Sequence, residues 1–310
     1  MTTNVLFAAT AQRWDEYEMP IRHELEAVGI DANLSLDIPA NDVDYIVYAP
    51  NSGLIDFTPF TRAKAVLSLW AGVETIVTNK TLTLPLCRMV DPSLTQGMVE
   101  WVVGHVLRHH LGMDAHILAK PGEWTPKAPP VAWDRSATVL GLGELGEACA
   151  RALAGLGFNV SGWSRSPKEI EGVTCYCGDD GLPDALNQAE IVVLLLPDTP
   201  ATTNLMNAER LKLMAKGSVV INPGRGPLID DTALLNALDQ GQIGHATLDV
   251  FRIEPLPAEH RYWAHPKVTV TPHIASETRA RWSAKTIAEN IHRGESGKPF
   301  LHLVDVKLGY

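Results

Sequence analysis

Three glycines spaced as G-x-G-x-x-G constrain the fold of this chain more than any other feature of its sequence. They are Gly141, Gly143 and Gly146, which follow an apolar run and precede an alanine-rich run in VLGLGELGEACARALAGLG. This context predicts a strand, a tight turn and a helix, as in a doubly wound α/β sheet that binds a dinucleotide. The first glycine permits the turn, the second lets the backbone approach a pyrophosphate, and the third lets the helix pack closely on the strand. The N–H groups that begin the helix would face the phosphates.

Short apolar runs along the rest of the chain supply further strands. In the N-terminal part they lie at 4–9, 45–49 and 66–70, and a helical pattern covers 16–28. Later runs lie at 137–141, 158–163, 190–196, 218–222, 245–250 and 268–271, before a last helical stretch at 276–293. Strands that alternate with helices predict parallel sheets, and continuous apolar strands predict sheets covered on both faces. A chain of 310 residues exceeds one ordinary core, so we expect two domains.

A different segment, 93–120, separates the two sets of strands. Ser93 and Gln96 can form a capping box at its start, and a Lys-Pro-Gly sequence ends it. The stretch MVEWVVGHVL between them is apolar on nearly every face, which predicts a helix that is buried all round. A dimer interface is one way to bury it. The proline-rich residues 121–135 that follow predict a semi-rigid connector.

Composition limits the classes of function. The net charge of −10, with 45% hydrophobic and 20% charged residues, fits a globular enzyme and disfavours broad nucleic-acid binding. Four cysteines are too few to crosslink a chain of this length, which fits a reducing compartment. No stretch approaches the roughly 18 apolar residues of a membrane span, and the N-terminus reads as a strand rather than a signal peptide. We therefore expect a cytoplasmic protein without nucleic-acid or membrane partners.

The end of the second strand after the glycines carries a cation where an acid is usual. An acidic ribose ligand is expected about 20 residues beyond the glycine turn, yet residues 163–168 read WSRSPK. Ser164 leaves room for a 2′-phosphate and Arg165 can bind it at two points, with Ser166 and Lys168 to assist. We interpret this corner as selecting NADP(H) over NAD. The alternative is a solvated surface arginine.

Three polar residues follow the later strands: Arg225 in INPGRGPL, Glu254 in FRIEPLP and His273 in TPHIAS. In open α/β sheets, residues beyond the carboxyl ends of the strands face the ligand crevice. Each residue alone has an ordinary explanation, as a surface arginine, a turn glutamate or a core histidine. Together, beside a nicotinamide, they form a chemical set: an arginine that binds a carboxylate, a histidine that donates a proton and a glutamate that keeps the histidine charged.

Several motifs, in this order, resemble the D-isomer-specific 2-hydroxyacid dehydrogenase family. They are VLGLGELG, LLLPDTPATTNLMN, INPGRGPLIDDTALLNAL, LDVFRIEPLP and VTPHIAS, and the resemblance covers essentially the whole chain. SLWAGVE, LPLCRMVDPSLTQGMVEWVV and WSRS are most similar to the branch of NADPH-dependent glyoxylate/hydroxypyruvate reductases. The resemblance implies two doubly wound parallel-sheet domains, with a Rossmann coenzyme domain at 93–275 inserted into a flavodoxin-like catalytic domain at 1–92 and 276–310. It also implies a homodimer built largely on 93–120.

The resemblance further implies roles for single residues. Arg225 would bind the carboxylate and keto oxygen of a 2-oxo acid, His273 would be the general acid and Glu254 its partner. The substrate pocket would be lined by Tyr48, Trp70, Ala71, Gly72 and Val73. The cofactor would be bound by Gly141, Gly143, Glu144, Leu145, Gly146, Ser164, Arg165, Ser166, Lys168, Leu196, Pro197, Thr202, Pro223, Gly224, Arg225, Asp249 and His273.

These observations predict an oxidoreductase that reduces small 2-oxo acids with NADPH, glyoxylate to glycolate and hydroxypyruvate to D-glycerate. Larger aryl or alkyl 2-oxo acids share the same carboxylate and ketone, so the preferred substrate stays open. A formate-dehydrogenase-like enzyme is disfavoured, because that branch pairs its histidine with glutamine and this chain has Glu254. A nucleotide-sensing corepressor of the same fold is the other alternative, but the chain has no long disordered tail or basic segment to support it.

Two groups of potential metal ligands are incomplete. His105 and His109 are four residues apart on a predicted helix, but the helix lacks an HExxH motif and an obvious third ligand. We favour an interface role for these histidines and their neighbours. Cys175 and Cys177 lack a second cysteine pair and are expected in a strand. No metal is predicted.

Overall fold

The computed structural model describes residues 2–309, which fold as two compact units. The first unit contains the chain up to Leu94 and from Glu277 onward, and the second is Thr95–Ser276. Each unit has one sheet whose strands are parallel and which carries helices. The predicted α/β fold class is confirmed.

The elements are numbered in chain order. The strands are β1 (Thr3–Ala8), β2 (Ala32–Ser35), β3 (Tyr45–Tyr48), β4 (Ala65–Ser68), β5 (Leu86–Cys87), β6 (Ser136–Leu140), β7 (Asn159–Ser164), β8 (Val173–Cys177), β9 (Ile191–Leu194), β10 (Ser218–Asn222), β11 (Ile243–Leu248) and β12 (Val268–Val270). The helices are α1 (Ala11–Ala27), α2 (Pro92–His110), α3 (Met113–Ile117), α4 (Glu144–Gly155), α5 (Gly178–Leu186), α6 (Ala208–Leu213), α7 (Asp231–Asp239), α8 (Arg261–Ala264) and α9 (Ala280–Glu295).

The sheet of the first unit has the strand order β2-β1-β3-β4-β5, which is the flavodoxin-like order. Its central strands β3 and β4 are buried at every position, and one face of the sheet packs on α1 and α9. Tyr17 and Ile21 of α1 and Ile287 and Ile291 of α9 lie in one buried cluster with the strands. The C-terminal helix α9 therefore completes the core that the N-terminal residues begin.

The sheet of the second unit has the order β12-β11-β10-β9-β6-β7-β8, the order of a Rossmann sheet extended by one strand. The strand order reverses between β6 and β9, which pair directly. Ligands of open α/β sheets bind beyond the carboxyl ends of the strands at such a switch point. The glycine turn follows β6 at this point.

The long helix predicted over 93–120 is divided. The first part, α2, ends at His110, and α3 starts after Gly112, which has a φ of 64° that favours glycine. The predicted capping box is also wrong. The carboxylate of Asp91 accepts the N–H groups of Ser93 at 2.8 Å and Leu94 at 3.0 Å, while the Gln96 amide donates to Glu100 on the helix surface.

Within one chain α2 is buried on one stripe, so the predicted burial on all sides would need a partner chain. The buried positions recur every four residues, at Leu94, Met98, Val102 and Val106. The opposite positions, Gln96, Glu100 and Gly104, are exposed. Part of the helix surface is thus not covered by this chain.

The histidines of α2 pack inside the second unit. The Nε2 atom of His109 lies 2.8 Å from the Thr247 hydroxyl, and its ring lies 4.8 Å from that of His245. Burial, followed by the charge on neighbouring His245, lowers the pKa of His109 to about 3. Burial likewise lowers the pKa of His245 to about 4. His109 therefore makes its polar contact within its own unit, and an interface role for the α2 histidines stays a prediction.

The described residues contain neither a membrane-spanning helix nor a cluster of metal ligands. Within residues 2–309, no helix is long and apolar enough to cross a bilayer. In the same range, no three histidine, cysteine or carboxylate side chains stand where they could hold a metal ion together. Cys175 and Cys177 lie in β8, as expected.

Candidate active site

The predicted catalytic residues leave the second sheet at one edge. In the paired strands, Asn222 of β10 is level with Leu248 of β11, which is level with Val270 of β12. Arg225 follows the first of these strand ends, Glu254 the second and His273 the third. Parallel pairing therefore places three sequence-distant segments at the same edge of the sheet.

Glu254 and His273 are in direct contact. The Nδ1 atom of His273 lies 2.7 Å from Oε2 of Glu254, and the other carboxylate oxygen accepts the N–H of Phe251 at 2.8 Å. The His273 side chain is 51% exposed and that of Glu254 is 35% exposed, so the pair lies at the surface of the unit. With Nδ1 on the carboxylate, Nε2 is the nitrogen that can meet a ligand.

A buried carboxylate shapes the turn that carries His273. Asp249 is fully buried, and its Oδ1 accepts the Thr271 hydroxyl at 2.5 Å and the Ile274 N–H at 2.9 Å. Its Oδ2 accepts the Ala275 N–H at 2.8 Å. The backbone carbonyl of Asp249 accepts the N–H of His273, whose φ of 54° is unusual for a residue with a side chain. Asp249 thus holds the whole turn.

The loop that carries Arg225 is closed by Asn222. The Asn222 amide donates to the carbonyl of Arg225 at 2.9 Å, and its oxygen accepts the Gly224 N–H at 3.1 Å. A Cβ on Gly224 would lie 2.7 Å from the carbonyl oxygen of Leu194, so only glycine fits. Pro223 is buried within this loop, and the Arg225 guanidinium donates to the Gly224 carbonyl at 2.6 Å. The loop is fixed before any substrate binds.

The glycine turn has the geometry that a pyrophosphate requires. Gly141 has a φ of 104°, and a Cβ there would lie 2.5 Å from the Leu195 carbonyl oxygen. A Cβ on Gly146 would lie 1.6 Å from the Gly141 carbonyl oxygen, so α4 packs directly on the turn. A Cβ on Gly143 would meet no atom within 4 Å, and Gly143 begins α4 without a side-chain cap. The first N–H groups of α4, at Glu144, Leu145 and Gly146, thus begin a helix that has no side-chain cap, which suits a phosphate group.

The cationic corner adjoins this turn, because the Gly141 N–H donates to the Trp163 carbonyl at 2.8 Å. Ser164 ends β7 and is buried, and its hydroxyl donates to the Ser166 carbonyl at 2.7 Å. Arg165, Ser166 and Lys168 are exposed. A small buried serine followed by exposed cations fits a nucleotide that carries a 2′-phosphate.

The loop after β9 lies next to the glycine turn, since the Leu195 N–H donates to Leu140 at 2.8 Å. Leu196 and Pro197 follow at this edge. The Thr202 hydroxyl donates to the Pro197 carbonyl at 2.7 Å and accepts the Thr199 N–H at 2.9 Å. Thr202 therefore closes the loop on itself.

The predicted substrate-binding residues of the first unit follow β3 and β4. The Tyr48 ring is buried and its hydroxyl donates to the Leu54 carbonyl at 3.3 Å, while burial raises the pKa of the phenol. Trp70 is 40% exposed, and its backbone N–H donates to the Ser68 hydroxyl at 3.0 Å. Ala71 and Gly72 are half-buried and Val73 is in the core.

Two residues that brace the site were not in the predicted set. Thr271 binds Asp249, which is 22 positions away in sequence. Arg252 binds the carbonyl of Ile229, which is 23 positions away. No local pattern signals such partners, although Arg252 does lie inside the same short motif as Glu254.

Comparison with known proteins identifies the family. Residues 102–275 match the model of the NAD binding domain of D-isomer specific 2-hydroxyacid dehydrogenases. Glyoxylate/hydroxypyruvate reductase A from Serratia proteamaculans is 40% identical over 257 residues, which is 80% of this chain and 82% of the relative. The predicted family is confirmed.

Two solved structures are similar along their whole length. A D-isomer specific 2-hydroxyacid dehydrogenase from Xanthobacter autotrophicus Py2, in complex with NADPH and MES, is 39% identical, has a TM-score of 0.91, and covers 100% of both chains. An NADPH-dependent glyoxylate/hydroxypyruvate reductase from Sinorhizobium meliloti, in complex with NADP and sulfate, is 35% identical, with a TM-score of 0.86 and the same coverage. The chain described here belongs to the D-isomer specific 2-hydroxyacid dehydrogenase family.

Proposed function

We propose that this protein reduces small 2-oxo acids with NADPH, converting glyoxylate to glycolate and hydroxypyruvate to D-glycerate. The observation that carries the proposal is the 2.7 Å contact between His273 and Glu254 at the sheet edge to which the Arg225 loop also leads. The names of the relatives support the same substrates. A formate-dehydrogenase-like activity is less well supported, because that branch pairs its histidine with glutamine and His273 here contacts Glu254.

The cofactor class is confirmed by the solved relatives in complex with NADPH or NADP. In this chain the glycine turn and the first turn of α4 would hold the pyrophosphate, and Ser164, Arg165, Ser166 and Lys168 would surround the 2′-phosphate. When bound, the nicotinamide supplies a hydride for C2 of the substrate. The protein contributes binding, orientation and charge.

The three polar residues have separate tasks. Arg225 binds the substrate carboxylate and the keto oxygen, which fixes the ketone and polarises it. His273 donates a proton from Nε2 to the oxygen on C2. Glu254 holds the ring by Nδ1, which leaves Nε2 to face the substrate. The substrate-binding role of residues 71–73 in the first unit stays a prediction.

We further propose that the second unit is the coenzyme domain, inserted into a catalytic domain formed by the first unit, and that the protein is a homodimer. Ile117 and Leu118, which are 70% and 80% exposed near the end of the 93–120 segment, support the dimer. Large exposed apolar surfaces on soluble proteins are usually covered by a partner.

Replacement of Arg225 by lysine tests the function. The charge is kept, but a lysine cannot reproduce a planar two-point grip, so kcat/KM for glyoxylate and hydroxypyruvate should fall roughly 100-fold. NADPH binding, measured by fluorescence, should change little. Arg151→Lys is the matched control, since Arg151 pairs with Glu147 on the surface of α4. No oxidation of NADPH by the wild-type protein with any 2-oxo acid, or full activity of Arg225→Lys, would contradict the proposal and favour a nucleotide-binding sensor.

The double substitution Ser164→Asp with Arg165→Ala should reverse cofactor choice. The new carboxylate repels a 2′-phosphate and accepts ribose hydroxyls, while a charge-assisted hydrogen bond contributing about 1.5–3 kcal/mol is lost. The ratio of kcat/KM for NADPH to that for NADH should therefore fall roughly 100-fold. Lys212→Ala removes an exposed cation on α6 and should leave the ratio unchanged. An unchanged ratio in the double variant would show that Arg165 is only a surface residue.

An arginine at Gly104 should break the dimer. A Cβ at Gly104 would meet no atom within 4 Å in one chain, so the substitution is tolerated by the monomer. Gly155→Arg is the matched control, because Gly155 is also an exposed helical glycine with nothing within 4 Å. Sedimentation velocity should find dimers for the wild type and Gly155→Arg, and monomers for Gly104→Arg. A monomeric wild type would refute the interface.

A further inference from the structure

Arg252 connects the loop that carries Glu254 to other segments of the second unit. Its Nε lies 3.2 Å from the carboxylate of Asp231. Its Nη2 donates to the side chain of Asn204 and to the carbonyl of Ile229. One guanidinium therefore joins three segments: the loop after β9, the residues that follow Arg225, and its own loop.

The two loops also touch through their backbones. A Cβ on Gly226 would lie 2.0 Å from the carbonyl carbon of Phe251 and 2.4 Å from the nitrogen of Arg252. Gly226 directly follows Arg225, and the Phe251 N–H binds Glu254. The contact thus lies next to Arg225, the proposed substrate-binding residue, and close to Glu254, which contacts His273.

The anchor of Arg252 is itself held from the interior. The hydroxyl of Tyr262 donates to Asp231 at 2.9 Å, and the Tyr262 ring is buried. Burial, and then the charge of Asp231, raises the pKa of Tyr262, so the phenol stays a donor. The side chains of Arg252 and Asp231 are only 33% and 28% exposed, which reduces solvent screening of their contact.

A cavity of about 130 Å³ borders the same loop. Its lining includes Phe251, Ile253, Leu256 and Tyr262. Side-chain packing is therefore incomplete on this side of the loop. The polar contacts of Arg252 and the backbone contact between Gly226 and Phe251 hold the loop there.

We propose that Arg252 is a positioning residue, which sets where the Glu254–His273 pair stands relative to Arg225. The inference rests on the proposed function, because it concerns the alignment of the acid with a bound 2-oxo acid. Arg252 is not proposed to contact the substrate or the nicotinamide. It acts through the backbone of residues 251–254, so its effect on the reaction depends on the presence of Glu254.

A double-mutant cycle tests this dependence. We would measure kcat, KM for glyoxylate and the Kd of NADPH for Arg252→Ala in the wild-type and Glu254→Gln backgrounds. Misplacement of a catalytic group by about 1 Å costs up to roughly 100-fold, so kcat should fall about 10- to 100-fold in the wild-type background. KM and the Kd of NADPH should change by less than about threefold, because Arg225 and the glycine turn are intact. In the Glu254→Gln background the same substitution should lower kcat by less than about twofold.

Two further variants keep the result interpretable. Arg252→Lys keeps a charge beside Asp231 but lacks the planar guanidinium, so it should lose less kcat than Arg252→Ala. If Arg252→Ala does not fold, the kcat of Arg252→Lys in the two backgrounds tests the positioning role instead. Arg261→Ala removes an exposed arginine 3.3 Å from Asp239 and should leave kcat unchanged. Equal fold-losses of kcat in both backgrounds, or a lowered Tm with normal kcat, would overturn the positioning role while leaving the proposed function standing. Absence of 2-oxo acid reduction by the wild type would overturn both.

Discussion

The candidate site depends on the hydrogen bonds that the buried carboxylate of Asp249 accepts. It accepts hydrogen bonds from Thr271, Ile274 and Ala275 and is fully buried. Loss of a partner would leave a buried charge partly unsatisfied, which costs about 1–3 kcal/mol or more. Its own carbonyl holds the His273 N–H, so the left-handed backbone of His273 is imposed by this residue. The direction in which the imidazole meets Glu254 follows from that turn.

Close backbone contacts also fix the positions of neighbouring loops along this edge of the sheet. Gly146 packs on Gly141, Gly224 on Leu194 and Gly226 on Phe251, each too closely for a side chain. Successive loops are therefore located by one another and not only by the strands that they follow. Polar contacts such as that of Arg252 act where the packing is incomplete. A site assembled this way has its polar groups oriented before substrate binds, which is what efficient catalysis requires.

The sequence predicts the parts of this arrangement that depend on local pattern. The long apolar strands, the glycine turn and the order of the catalytic motifs are of this kind. The strands β2 and β5 were missed, since ANLS is polar and LC has two residues. The division at Gly112 was missed because apolar residues continue on both sides of it. Asp249 was assigned to the cofactor, but its contacts with residues 271–275 link positions too far apart in sequence for any periodicity to reveal.

We propose that His273, held by Glu254, donates the proton during reduction. The most direct test is kcat/KM for glyoxylate at saturating NADPH in His273→Ala, Glu254→Gln and the double variant. General acid catalysis contributes roughly 10²–10⁴-fold, so His273→Ala should lose activity in that range while its Kd for NADPH stays unchanged. Glu254→Gln should lose less kcat/KM than His273→Ala. The double variant should lose no more than His273→Ala, because both substitutions disable the same proton donation. Near-wild-type activity of His273→Ala, or losses that multiply in the double variant, would contradict the account.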